Sequence, residues 1–165
     1  MPAIRSTDSH FGDDERHVFV DQIASGIDPR NDGSPTEVLP EPGETVKRRF
    51  GRDKEVLTGY SAQWSIAGPG KRHTDRPILM YVVWMAPEPI DEATFRQAVP
   101  EFPSTWKLDF EIQPEAATAV LDDVRSTPPS EIVRVMLDTL LALGATLPTG
   151  RWRTTWQSLY TGGSE

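Results

Sequence analysis

The sequence predicts an α+β fold. The expected core is a small mixed sheet of three or four strands with helices packed on one side. A long irregular N-terminal arm precedes it, and a short aromatic C-terminal tail follows. Three observations predict this. Residues 78–86 (Ile78-Leu79-Met80-Tyr81-Val82-Val83-Trp84-Met85-Ala86) form the longest unbroken apolar run, bracketed by Pro77 and Pro87. Two other stretches alternate apolar and polar residues with the period of a strand. Three further stretches space their apolar residues for a helix face, whereas residues 24–46 are too rich in proline and glycine to sustain a helix or a central strand.

Taken in order, residues 1–17 are polar and include the acidic run Asp13-Asp14-Glu15, so they read as a tail. His17 to Ile23 is the one apolar cluster in the arm and its expected anchor, as a short strand or helical turn. Residues 24–46 read as extended chain with turns at Asp28-Pro29-Arg30-Asn31 and Asn31-Asp32-Gly33. Tyr60, Ala62, Trp64 and Ile66 alternate with Ser61, Gln63 and Ser65, which predicts a half-buried strand. The nine-residue run 78–86 is too short to span a bilayer, and its composition predicts a central strand buried on both faces. The two strands are expected to pair antiparallel across a basic loop.

Asp91 is a good N-cap for a short helix that Pro100 ends. Trp106, Leu108, Phe110 and Ile112 alternate with charged and polar residues over 105–113, which predicts a third strand, parallel to the central one after a crossover. Residues 115–125 read as a helix with Ala116, Ala119, Val120, Leu121 and Val124 on one face. After Pro128-Pro129, Ser130 is expected to cap a helix over 131–143 that stops at Gly144. Its apolar residues run round most of the circumference, as they do on a helix covered on several sides. Trp152, Trp156 and Tyr160 recur every four residues, which reads as a helical tail with three rings on one face. The domain boundaries expected are an acidic arm over 1–46, an α+β core over 47–145 and an aromatic tail over 146–165.

Charge is segregated along the chain. The net formal charge is −8. Residues 1–46 hold 10 acids and 3 bases, 47–76 hold 3 acids and 8 bases, and 77–165 hold 12 acids and 6 bases. A basic band between acidic regions suits an anionic partner or acidic surface on another copy. The absence of cysteine excludes disulfides and cysteine-ligated zinc. It fits a reducing, cytoplasmic setting or a particle assembled inside a cell. The first residues lack an apolar core for a secretion signal, and no stretch suits a membrane span.

Motifs for specific chemistry fall short. Gly68-Pro69-Gly70-Lys71-Arg72 lacks the first glycine, the Ser or Thr and the helix that a phosphate loop needs. His73 and Asp75 offer half of an acid–base pair without a partner nucleophile. His10 and His17 flank Asp13, Asp14 and Glu15, but a tail supplies no supporting shell for a metal. Asp109 and Glu111 share a strand face, with Gln113 where a nuclease-like site wants lysine.

The sequence therefore points to a non-enzymatic structural or assembly protein, such as a virion head–tail or tail component, that contacts other copies of itself or another protein. No cofactor or small-molecule substrate is implied. Nucleic acid is disfavoured by the pI near 4.9. The candidate interface residues are Lys47, Arg48, Arg49, Arg52, Lys71, Arg72 and Arg76 of the basic band, and Trp152, Trp156 and Tyr160 of the tail. The alternative is a one-to-one binding module of the immunity, anti-defence or regulatory kind, using an acidic face. An enzyme comes third, with His73, Asp109 and Glu111 as its residues to test.

Overall fold

The computed structural model describes residues 3–27, 36–43, 45–46, 49–51, 54–55, 59–67, 79–110, 116–122 and 124–160. Nine strands and three α-helices occur among them. The strands are β1 Ala3–Gly12, β2 Thr36–Pro40, β3 Thr45–Val46, β4 Lys54–Glu55, β5 Ser61–Ala67, β6 Leu79–Met85, β7 Lys107–Asp109, β8 Ala116–Leu121 and β9 Arg151–Tyr160. The helices are α1 His17–Ile27, α2 Glu92–Ala98 and α3 Pro129–Leu143. Seven strands make one sheet in the order β1-β9-β2-β5-β6-β8-β7, and β3 and β4 pair separately. Every pairing is antiparallel.

This corrects the expectation of a mixed sheet of three or four strands. The additional strands come from the two chain ends, from 116–121 and from 36–40. There β2 pairs with both β9 and β5 and is a central strand inside the proline- and glycine-rich stretch; Pro40 is tolerated because it is the strand's last residue. β1 pairs with β9 along its whole length, from Ala3 opposite Tyr160 to Gly12 opposite Arg151. The expected arm and tail thus supply strands of the sheet. The polar β1 has no apolar alternation of its own, so pairing with β9, not local propensity, makes it a strand. In β9 the four-residue spacing of aromatics misled, because four is an even number and fits a strand face as well as a helix face. His17–Ile27 is a helix, joined to β1 by a short 3-10 turn over Asp13–Glu15.

The stretch read as a helix over 115–125 is β8, between β6 and β7. Its small residues fit a strand covered on both faces: Ala117 and Ala119 are fully buried on one and Thr118 is 4% exposed on the other. A short apolar run does not distinguish the two periods. β6 and β7 run in the same direction, yet β8 lies between them.

The inner face of the sheet is read across the register. Val38, Ala62, Trp84 and Ala117 form one row, and Trp64, Val82, Ala119 and Leu108 the next. The helices pack on this face. The Phe19 ring of α1 lies 5.5 Å from Phe11 and 5.0 Å from Trp64. Gln22 donates to the Ser9 hydroxyl at 2.6 Å. In α2, Phe95 lies 5.8 Å from Trp84, whose indole N–H donates to the Met136 carbonyl of α3 at 3.2 Å. Buried polar groups that find such partners keep the core satisfied.

Asp91 caps α2 as expected, accepting from the Thr94 amide at 2.7 Å. In α3 the cap position falls to Pro128, with Pro129 in the first turn, so Ser130 is not the cap. Proline suits that turn because its missing N–H has no partner to lose. α3 is covered by the sheet, α1 and α2 of its own chain, which accounts for its all-round apolar residues. β6 alternates instead of being buried on both faces: Met80, Val82 and Trp84 point inward and are fully buried, while Tyr81 is 39% exposed on the outer face.

Candidate interaction surfaces

The ribbon β3–β4 closes the ends of a hairpin over 45–55, with Thr45 opposite Glu55 and Val46 opposite Lys54. Of its connection, residues 49–51 are described, and all three are exposed. Phe50 is 84% exposed, and the Arg49 guanidinium carbon sits 5.9 Å from its ring centroid, within cation–π range. Gly51 takes φ +93°, a conformation that suits glycine and turns the chain at the tip. Lys47, Arg48, Arg52, Lys71, Arg72 and Arg76 lie outside the described residues.

Trp152 is a core residue of its own chain. It is fully buried, and its indole N–H donates to Asp13 Oδ1 at 2.9 Å. Trp156 stands opposite Thr7 and Thr36 in the register, and Tyr160 opposite Ala3. The basic tip and Trp152 are therefore separate features, one on the surface and one inside.

A second surface is a groove of about 200 Å³ between α3 and the 98–103 segment after α2. Val99, Phe102, Pro103, Val135 and Ala142 supply its apolar lining, and Glu101, Arg134 and Asp138 its charges. Phe102 belongs to an aromatic cluster that runs in from this groove. Its ring lies 5.2 Å from Phe95, 5.5 Å from Trp84 and 5.8 Å from Trp106, in edge-to-face arrangements. Arg134 is held by Glu131, with Nε to Oε2 at 3.0 Å. That hydrogen bond holds the Glu131 carboxyl below its usual range.

The groove borders an ion-pair relay. Arg16 donates to Asp138 Oδ1 at 2.8 Å, and to Asp13 Oδ1 at 2.8 and 3.0 Å. Burial pushes the Asp13 carboxyl up, but the Trp152 and Arg16 hydrogen bonds outweigh it and leave the pKa lowered. The relay ties the entry of α1 to α3 and β9. The groups around the groove (Asp13, Glu101, Glu131 and Asp138 against Arg16 and Arg134) carry more negative than positive charge.

The chemistry-bearing residues singled out in the sequence are scattered. His10 pairs with Glu41 at 3.2 Å; Glu41 also accepts from Thr149 at 2.9 Å and lies 3.4 Å from Arg151. This cluster staples the end of β2 to β1 and to the start of β9. His17 opens α1, and Asp109 stands on the outer face of β7 opposite Thr118. His73, Asp75, Glu111, Gln113 and the 68–72 loop lie outside the described residues. Among the described residues, no group of three or more His, Asp or Glu could hold a metal ion. No described helix is long and apolar enough to cross a membrane.

Sequence reasoning singled out the basic residues around Phe50 but not the groove. Glu101 and Asp138 lie far apart in the chain, and only the packing of α2 on α3 brings their segments together. No family model, curated protein or solved structure matches this chain.

Proposed function

We propose that this chain is a non-enzymatic assembly protein that binds other protein chains through the tip of its 45–55 hairpin. The observation that carries the reading is Phe50, 84% exposed beside Arg49 on a hairpin with five bases and two acids. An aromatic ring in water forgoes about 1.5–3 kcal/mol that burial would return. Aromatic and arginine side chains together are the composition of interface hot spots. The acidity of the remainder of the chain, which carries the excess of acids over 1–46 and 77–165, supports a copy of the same chain as partner.

The test is the native mass of the full chain by light scattering over a concentration series, at low and at high salt. The reading expects a multimer at low salt that dissociates at high salt, because exposed ion pairs are screened. A monomer at every concentration and salt would overturn it and favour the one-to-one binding module.

A further inference from the structure

Resting on the assembly reading, we infer that the hairpin tip of one copy docks in the groove between α3 and residues 98–103 of another, with Phe50 seated against Phe102. Size, lining and charge each favour this occupant. A groove of about 200 Å³ is on the scale of one large side chain. Its lining presents Phe102, the outermost member of the Trp84, Phe95, Phe102 and Trp106 cluster, so an incoming ring extends an existing edge-to-face series. The same lining carries the acids Glu101 and Asp138 against the base Arg134, with Asp138 already held by Arg16, which leaves Glu101 as the acid that faces an incoming cation. An aromatic side chain carried on a cationic backbone segment matches both properties. Among the described residues Phe50 is the most exposed large apolar side chain, and Arg49 accompanies it.

The tip does not occupy the groove of its own chain, since Phe50 remains 84% exposed. The two surfaces differ, so the contact is heterologous: each copy offers a tip to one neighbour and a groove to another. Such contacts close into rings or continue as filaments.

The test compares native masses of the full chain at low salt. Phe50→Ala and Arg49→Glu alter the tip; Glu101→Arg reverses a groove charge, and Ala142→Phe fills the groove. All four positions are exposed, and circular dichroism checks that each variant is folded. Each is expected to weaken association at least about tenfold, and the double variant Arg49→Glu/Glu101→Arg to regain mass over either single one. If the tip variants dissociate the multimer while both groove variants leave it intact, the groove is not the receptor and the assembly reading survives. If the tip variants also leave the mass unchanged, both fall. Failure of the double variant to recover would remove the Arg49–Glu101 pairing on which the docking pose depends.

Discussion

Asp13 shows how much one side chain organises in this chain. Its Oδ1 accepts from the Trp152 indole and twice from Arg16, joining the entry of α1 to the buried Trp152 of β9. Asp13→Asn keeps the shape, but it removes the charge that Arg16 requires. It is expected to cost about 1 kcal/mol, near the lower end for a charge-assisted bond because the carboxylate is partly exposed. The pH dependence follows from the lowered pKa. A carboxyl whose folded value lies below its ordinary 3.8 adds stability that is complete above that value. That stability is lost as pH falls through the lower, folded value. Urea midpoints measured from pH 6 down to about pH 2 should therefore show an acid-side loss in the wild type that is smaller in Asp13→Asn. Identical acid limbs would dismiss the role given to Asp13. Gly144 supplies a second residue-scale test. It has φ +120°, and a Cβ there would stand 2.8 Å from the Tyr60 hydroxyl. Gly144→Ala should lower stability by about 1–3 kcal/mol by thermal or urea unfolding, since both the backbone and the contact are strained.

Among the elements, β8 decides the width of the sheet. Ala119 is fully buried between Val82 and Leu108 in the register, under the helix layer. Ala119→Leu should cost about 1–3 kcal/mol through overpacking, measured by urea unfolding. A neutral outcome would contradict the tight packing given to Ala119. β5, β6, α2 and α3 were legible because their signals are local: strict alternation, a Pro-bracketed apolar run, an Asp N-cap and a glycine stop. β1, β2, β8 and β9 were not; β2 is five residues ending on Pro40 inside a proline- and glycine-rich stretch. β1 is polar and owes its conformation to a partner 139 to 157 residues away along the register, β8 is too short and alanine-rich to show its period, and the aromatics of β9 recur at an even spacing that suits either element. The candidate surfaces divide in the same way. The tip is one contiguous sequence, so its bases and Phe50 were visible together. The groove is assembled from two distant segments and left no pattern to read.

For the whole molecule, the helices cover one face of the sheet, and charge is distributed so that the hairpin is basic while the chain as a whole is acidic. On the proposed reading, a copy of this chain carries both halves of a complementary contact, with the ring of Phe50 as the part that salt does not screen. Salt should weaken association without removing the dependence on Phe50, because the electrostatic and apolar contributions respond to different variables. The most direct measurement is the native mass of wild-type protein beside Phe50→Ala at the same concentration and low salt. The account predicts a multimer for the wild type and a shift toward the monomer for the variant, with unchanged circular dichroism. Equal masses for the two proteins would contradict it.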